Sequence, residues 1–548
     1  MRAVLSKTLP AFLALCVTLP WASAQPTPLS QRPVSRKNGF LYQPGVGDFW
    51  APTVIYANRQ YYMFSMYGNP TFDSVWLATS EDGVHWKDYG VVLKSEGFKN
   101  NRVFMQALNK VGDRYVMNFG AFTDVGSPQN LLRFYESKDL THWTHSYDLP
   151  VDTHFYKPDG LWDHMYMIPK NEARLSDGYW GYQVATPIDH GGWGMMESED
   201  GIHFKPVKAP EIQADFRVPP RVENGGIKKI GGKYYLLAVS SNHFGFYGYS
   251  MFTYVADSPT GPFRPDLGAY YLNGTSGIDG TRMVQEVVSF VKDSPEDLVS
   301  VPFTFLYPGT DGHGTWFLPM RKAIVDNQGH LRLAYWKQND LAKGPEIAAD
   351  ASQNLVVFPQ GQTASNPIVN VSGSKDSLLV SFDKVWRGFP WLDGSKSRKA
   401  VVMLNQKFDL DKGLIVEGHV RGTNPNLGGQ SYAGFYMEGA DRNPGTAIRL
   451  QIGEPLWRES KIGKLRTGAD FDFEPLDVTG RYSARVTGLD DGKDHTFRLW
   501  LRGGQMDLYV DDLLMQSFFL FSPSGRIGFL SEESETQFSQ LKFYSMNP

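Results

Sequence analysis

A single carboxylate at a strand opening points to acid–base chemistry. Glu223 begins a segment that reaches Tyr234 and Tyr235 eleven residues later, with Gly231 and Gly232 between them. This order of residues predicts two strands joined by a tight turn, with the acid at the open end of the first strand. A carboxylic acid at the mouth of a cleft can protonate a leaving oxygen. The segment therefore predicts the general acid of a glycoside-cleaving site.

Cleavage of a glycosidic bond also needs a second carboxylate, and a third negative charge can raise the pKa of the acid. We expect Asp48, which precedes the first predicted strand, to act as the base. Asp159 is the candidate for the charge that tunes Glu223. Both aspartates also fit plain turns, because each lies beside glycine residues. Other carboxylates that could join the site are Asp152, Asp279 and Glu286.

Basic and aromatic side chains near the predicted strand openings are candidates for sugar binding. Arginine and histidine can hydrogen-bond hydroxyls, and an indole ring can stack on a sugar. The predicted substrate-binding residues are Trp50, Arg221, His243, Arg282 and His313. Ion pairs for the arginines and core packing for the tryptophan are the alternative roles.

A unit that recurs along the first 340 residues must position these side chains. A polar turn motif that ends in an aromatic residue occurs at Ser80–Trp86, Ser137–Trp143, Ser198–Phe204 and Ser258–Phe263, and a fifth unit covers Trp316–Trp336. The closing aromatics of the first four motifs are 57, 61 and 59 residues apart, and an alternating or apolar run precedes each motif. Units of about 60 residues with about four strands each are typical of propeller blades. We therefore predict a five-bladed β-propeller in which each closing aromatic returns to the core.

The remaining chain divides by its composition. After Lys337 the sequence becomes rich in alanine, aspartate and glycine, and then alternates short strands with turns. This pattern predicts an all-β protein that ends in a β-sandwich of the jelly-roll or concanavalin type. The predicted organisation is a signal peptide (1–24), an N-terminal extension (25–39), the propeller (40–340), a linker (341–353) and the sandwich (354–548).

The first residues have the pattern of a secretion signal. Arg2 and Lys7 precede an apolar run, and Ala22-Ser23-Ala24 provides small residues for cleavage after Ala24. We therefore expect a secreted or periplasmic protein. The apolar run is too short to predict a membrane span. Cys16 is the only cysteine, so the cleaved chain would contain no disulfide. The net charge of −4 argues against nucleic acid as a partner.

Several segments resemble secreted glycosidases of the five-bladed propeller clans, families 43 and 32. The segment 222–236 is similar to the family 43 segment that carries the general acid, and Trp50-Ala51-Pro52 resembles a strand opening of the same proteins. Ser258–Phe263 is similar to their Ser-Pro-x-Gly-Pro-Phe turn. The C-terminal stretch 497–528 resembles the β-sandwich appended to family 32 enzymes.

The resemblance implies Glu223 as the acid, a carbohydrate substrate and inversion at the anomeric carbon. It implies no required cofactor, and Gly312-His313-Gly314 implies a structural calcium ion at the propeller centre. The sequence departs from both families at the other carboxylates. Ala51 stands where family 43 has its base, and the Asn-Asp-Pro-Asn-Gly, Arg-Asp-Pro and Glu-Cys motifs of family 32 are absent. The base assignment therefore depends on Asp48.

The sequence thus predicts a secreted, exo-acting glycoside hydrolase that acts on a polysaccharide or oligosaccharide by carboxylate acid–base catalysis. Two alternatives remain open. A non-catalytic carbohydrate-binding propeller protein would fit the loss of the acid at position 51. A phosphate-dependent glycoside phosphorylase would use arginines to hold phosphate in place of a base.

Overall fold

The computed structural model describes most of the chain as strands. The described residues are 42–45, 49–68, 72–94, 102–122, 131–189, 192–213, 223–241, 249–269, 271–273, 276–278, 281–284, 288–306, 314–357, 369–382, 398–424, 431–440, 444–453, 459–467, 471–477, 488–520 and 523–547. The helical segments among them are two short 3₁₀ turns, Leu175–Asp177 and Lys337–Ala342. No helix in these ranges is long and apolar enough to cross a membrane.

Four antiparallel sheets, each built from consecutive strands, form four blades. Blade 1 contains β1 (Phe49–Ala57), β2 (Gln60–Tyr67), β3 (Ser74–Ser80) and β4 (Lys87–Lys94). Blade 2 contains β5 (Arg102–Val111), β6 (Arg114–Phe122), β7 (Leu131–Ser137) and β8 (Thr144–Pro150). Blade 3 contains β9 (Trp162–Pro169), β10 (Tyr179–Ala185), β11 (Gly194–Ser198) and β12 (Lys205–Val207). Blade 4 contains β13 (Glu223–Ile230), β14 (Lys233–Ser241), β15 (Tyr249–Ala256), β16 (Arg264–Pro265) and β17 (Tyr271–Asn273).

The next eight strands are divided between two sheets. They are β18 (Ser276–Ile278), β19 (Thr281–Val284), β20 (Ser289–Phe290), β21 (Leu298–Ser300), β22 (Pro302–Leu306), β23 (Gly314–Phe317), β24 (Arg321–Val325) and β25 (Leu331–Ala334). Strands β18, β19, β22 and β23 form a four-stranded sheet. Strands β20, β21, β24 and β25 pair in that order and continue into a larger sheet of the C-terminal region.

The first strands of the blades surround the propeller axis. Strands β1, β5, β9 and β13 contact one another in that order, and β20 contacts both β13 and β1. Four blades are separate sheets, rather than the five predicted, and β20, β21, β24 and β25 complete the ring as part of the larger sheet. The predicted fifth unit does not end as a free sheet, because β25 pairs through Ala334 with Leu513 of the C-terminal region. Pairing of this kind removes an exposed sheet edge.

The C-terminal region is a β-sandwich of two large sheets. Its strands are β26 (Lys343–Glu346), β27 (Asn354–Val357), β28 (Val369–Ser374), β29 (Ser377–Phe382), β30 (Lys399–Leu404), β31 (Leu414–Thr423), β32 (Tyr432–Gly439), β33 (Gly445–Gln451), β34 (Ser460–Arg466), β35 (Asp472–Asp477), β36 (Asp494–Arg502), β37 (Gln505–Val510), β38 (Leu513–Phe519), β39 (Pro523–Glu532) and β40 (Glu535–Met546). One sheet has the order β27-β30-β39-β32-β33-β34-β35. The other has the order β28-β29-β40-β31-β36-β37-β38-β25, with β26 also paired to β40. The predicted all-β architecture of a propeller followed by a sandwich is confirmed.

The recurrent turn motif is held by its own side chains. In blade 1, the Asp82 carboxylate accepts the backbone N–H groups of Val84 and His85, both at 2.8 Å. The Ser80 hydroxyl accepts the N–H of Gly83, whose φ of +76° favours glycine. Asp139 in blade 2 and Asp200 in blade 3 make the equivalent pair of bonds. The motif therefore closes each blade locally, as its residues predict.

The aromatic residue that ends each motif packs against the preceding blade. Trp143 contacts Phe64 of blade 1 with ring centroids 5.7 Å apart, and Phe204 stacks on Phe134 of blade 2 at 5.8 Å. Phe263 contacts Trp193 of blade 3 at 5.7 Å. The predicted return of these aromatics to the core is confirmed, and it joins neighbouring blades.

Candidate active site

The inner strands are irregular near their first residues. Strand β1 has a bulge between Trp50 and Thr53, and β5 has one between Phe104 and Gln106. The pairing of β9 shifts opposite Trp162, and β13 shifts between Asn224 and Gly226. Bulges redirect side chains and are common beside active sites. Because these strands are all the first of their blades, the irregularities lie together at one end of the ring, which we call the mouth.

Glu223 lies at the mouth as the first residue of β13. Many protein atoms surround it, yet its side chain remains partly accessible. Burial, followed by the negative charge of Asp163, raises the pKa of Glu223 from 4.5 to about 7, while the imidazole of His164 acts in the opposite direction. A carboxylic acid with this pKa retains a proton near neutral pH. Glu223 is thus suited to donate a proton.

Asp163, the second residue of β9, is held by a neighbouring blade. It is 5% exposed, and its Oδ1 accepts the N–H of His164 at 2.6 Å and the N–H of Gly120 on β6 at 3.2 Å. Asn118, also on β6, donates to the carbonyl of Met165 at 2.9 Å and accepts the Met165 N–H at 2.7 Å. Blade 2 therefore fixes the start of β9, and with it the carboxylate beside Glu223.

The structure brings Asp163, rather than Asp159, to Glu223. Asp159 is exposed in a turn ahead of β9, where the N–H of Gly160 donates to the carbonyl of Lys157 at 3.0 Å. Asp159 does not contribute to the shift of the Glu223 pKa. The predicted Asp159 lies four residues before Asp163 in the same segment of the chain. The available signal was that Asp163, like Glu223, lies at the start of an inner strand.

Ala51 shows why the base position of family 43 cannot serve here. Its side chain is 1% exposed, and its φ of +47° belongs to the bulge of β1. Its carbonyl accepts the amide of Gln106 at 3.0 Å, and that fully buried amide also donates to the carbonyl of Phe64 at 2.6 Å. This part of β1 is therefore committed to joining blades 1 and 2.

The other predicted site residues differ in how far the structure describes them. Trp50 lies on β1 at the mouth, partly buried, with its ring 5.7 Å from that of Phe72. Arg282 lies on β19, where it pairs with Gly277 and Leu306 through the backbone. The predicted residues outside the described ranges are Asp48, Arg221, His243, Asp279, Glu286 and His313. Their roles remain predictions, although Asp48 directly precedes the start of β1.

The predicted calcium ion also remains a prediction. In the ranges that the structure describes, no group of three or more histidine, cysteine, aspartate or glutamate side chains could hold a metal ion. His313, from which the calcium was expected, lies outside those ranges.

These observations define a protein class in which a propeller bearing an acid at its mouth is joined to a β-sandwich. Solved structures match the chain in fold along almost its whole length. A GH32 β-fructofuranosidase of Bombyx mori matches with a TM-score of 0.59 and 12% identity over 93% of both chains. A sucrose-6-phosphate hydrolase from Lactobacillus gasseri matches with a TM-score of 0.61 and 12% identity over 94% of both chains. A fructan 1-exohydrolase IIa from Cichorium intybus matches with a TM-score of 0.61 and 12% identity over 94% of this chain and 98% of that one.

At this level of identity, the likeness shows a shared fold. No protein-family model matches the chain, and no curated protein matches it significantly.

Proposed function

We propose that the protein is a glycoside hydrolase in which Glu223 is the general acid. The observation that carries the proposal is the raised pKa of Glu223, about 7, beside Asp163 at the propeller mouth. General acids work best when their pKa lies near the working pH, and burial beside a like charge is how proteins achieve this for a carboxyl group. Asp163 replaces Asp159 as the proposed tuning charge.

The proposed substrates are β-fructofuranosides, cleaved from the chain end. Support comes from the solved structures that share both domains, which are named as a β-fructofuranosidase, a sucrose-6-phosphate hydrolase and a fructan 1-exohydrolase. The substrate would thus be an oligosaccharide or polysaccharide that contains fructose. Trp50 would pack against the sugar, and Arg221, His243, Arg282 and His313 are the proposed hydrogen-bonding residues.

Asp48 is the proposed second carboxylate, and we infer that it attacks the sugar. The resemblance to family 43 implied inversion, whereas the solved structures that share the fold belong to family 32, a retaining family. In a retaining reaction, Asp48 would bond to the anomeric carbon as the bond to the leaving oxygen breaks. Glu223 would give its proton to that oxygen. Glu223 would then take a proton from water, which displaces Asp48.

The two rival functions predict different surroundings for Glu223. A decayed, sugar-binding propeller would need no second acid near Glu223, so the proximity of Asp163 supports hydrolysis. A phosphorylase would require phosphate for turnover. Secretion remains part of the proposal, and we expect the mature protein to begin at Gln25.

A substrate panel tests the proposal. Purified protein is incubated with sucrose, 1-kestose and inulin, and with aryl arabinofuranosides, xylosides and galactosides, each with and without phosphate. We expect fructose release without phosphate, and proton NMR should show the retained anomer first. Glu223→Gln, purified in parallel, controls for contaminating activity. No turnover of any fructoside, or equal turnover by the variant, would contradict the proposal.

A further inference from the structure

A cavity of about 700 Å³ opens at the end of the propeller axis opposite the mouth. Its walls come from the later residues of the inner strands, including Asn109 of β5, Met167 of β9 and Ile227 of β13. The end of β20 and the residues that follow it, 290–294, complete the walls. Glu223 and Asp163 lie at the other end of the same strands. A cavity of this size is in the range of sites for small organic ligands.

The lining of this cavity is rich in lysine. Its five lysines are Lys110, Lys170, Lys228, Lys229 and Lys292. Lys228 pairs with Asp297 at 2.7 Å, and Lys170 pairs with Glu197 at 3.0 Å. The other three have no ion pair within 4.0 Å among the residues that the structure describes.

The acidic residues of the lining do not balance these lysines. They are Glu172, Asp177 and Asp293. Asp177 is already paired with Arg174 at 2.6 Å, outside the lysine group. Asp293 interacts electrostatically with Lys292, Lys110 and Lys228 together. The cavity is therefore left with an excess of positive charge, which favours an anion.

Lys292 gives the cavity a cation in its depth. Many protein atoms surround the side chain, which remains partly accessible from the cavity. Its Nζ donates to the carbonyl of Met167 at 3.1 Å and lies 5.5 Å from the centroid of the Tyr166 ring. Burial lowers the pKa of Lys292 to about 8, so the amine remains mostly charged at pH 7. An ammonium group has three donors, and one of them is engaged by the residues that the structure describes.

We propose that this cavity binds a small anionic ligand through a phosphate or sulfate group. Lys110 and Lys229, at the exposed rim, would approach the anion together with Lys292. The remainder of the ligand would pack on Tyr179, Tyr234 and the apolar wall of Met167 and Ile168. The site is independent of the proposed hydrolysis at the mouth.

Calorimetric titration of the full mature chain with inorganic phosphate, inorganic sulfate and galacturonate tests the site. We expect saturable binding of phosphate or sulfate. Lys110→Gln and Lys229→Gln should each weaken it by about fivefold or more, since each removes a charge-assisted bond. Both lysines are exposed, so these variants should fold. Lys138→Gln, at an exposed blade 2 turn, is the matched control and should bind like the wild type.

Glu223→Gln locates the binding, because it changes only the mouth and should keep the wild-type affinity for the anion. The proposal is overturned if the wild-type protein shows no saturable binding, or if the rim variants bind as tightly as the control. Loss of binding in Glu223→Gln would show that the anion binds at the mouth instead of in this cavity. Binding of galacturonate alone would show that the site takes a carboxylate instead of a phosphate or sulfate group.

Discussion

Asp163 and Glu223 lie at the starts of two neighbouring inner strands, and the negative charge of Asp163 helps burial to raise the pKa of Glu223 to about 7. Asp163 can take this role because hydrogen bonds from blade 2 hold it in place. Glu223 is surrounded by protein at the start of β13, so its ionised form is poorly solvated. Two carboxyl groups distant in sequence thereby acquire different environments, which is how acid and base roles are separated.

Asp163→Asn should move the basic limb of the pH profile to lower pH. The wild-type kcat/KM should fall above about pH 7 as Glu223 loses its proton. The asparagine removes the negative charge that opposes this ionisation, so the loss should begin earlier. Activity is measured on sucrose, because cleavage of an unactivated glycoside depends on the proton of Glu223. Asp159→Asn, in the exposed turn, should leave the profile unchanged, and an unshifted profile in Asp163→Asn would remove Asp163 from the site.

Glu223→Gln should make the stability of the protein less sensitive to pH. Between pH 4.5 and about 7, the native state binds more protons at Glu223 than the unfolded state does, so Glu223 lowers stability as pH rises through this window. The variant lacks this loss. Chemical denaturation measures the free energy of unfolding at pH 5 and pH 8. Relative to the wild type, the value for the variant should be higher at pH 8 than at pH 5, by at most about 3 kcal/mol. A difference that does not change with pH would refute the raised pKa.

Asp507→Ala should destabilise the junction between propeller and sandwich. Arg321 of β24 donates to Asp507 of β37 at 2.8 Å, and the two side chains are 0% and 2% exposed. Loss of one partner leaves a buried charge without its counterion, which costs about 3–5 kcal/mol. The double variant with Arg321→Met should recover most of this loss in denaturant titrations.

The exposed pair Lys412–Asp409, 3.3 Å apart, supplies the control for that experiment. Asp409→Ala should change the unfolding free energy by less than about 1 kcal/mol. Equal losses of unfolding free energy in Asp507→Ala and Asp409→Ala would show that the buried pair stabilises the protein no more than the exposed pair does.

The sequence predicted those features that are set by local residues. Each turn motif contains the aspartate, serine and glycine that close it, and its spacing revealed the repeat. The predicted number of separate blades was wrong because it depends on pairing between distant segments. Ala334 meets Leu513 across the domain junction, and nothing local to either residue marks that pairing.

The sequence locates the site only in part, again because some of its contacts join distant segments. Glu223 lies at the start of a strand, and the residues of its own hairpin predict that strand. The choice between Asp159 and Asp163 depends on Gly120 and Asn118, which belong to another blade. Only the assembled ring shows that Asp163 is held towards Glu223 while Asp159 remains in an exposed turn.

The leaving-group dependence of Glu223→Gln tests the central claim most directly. The variant cannot protonate a leaving oxygen, so kcat on an unactivated fructoside such as sucrose should fall by about 10²–10⁴-fold. A fructoside with a good leaving group, such as a dinitrophenyl fructoside, needs no such proton, so cleavage of its glycosidic bond should be slowed far less. Near-normal activity of the variant on sucrose, or equal losses in glycosidic bond cleavage of both substrates, would contradict the assignment of Glu223 as the general acid.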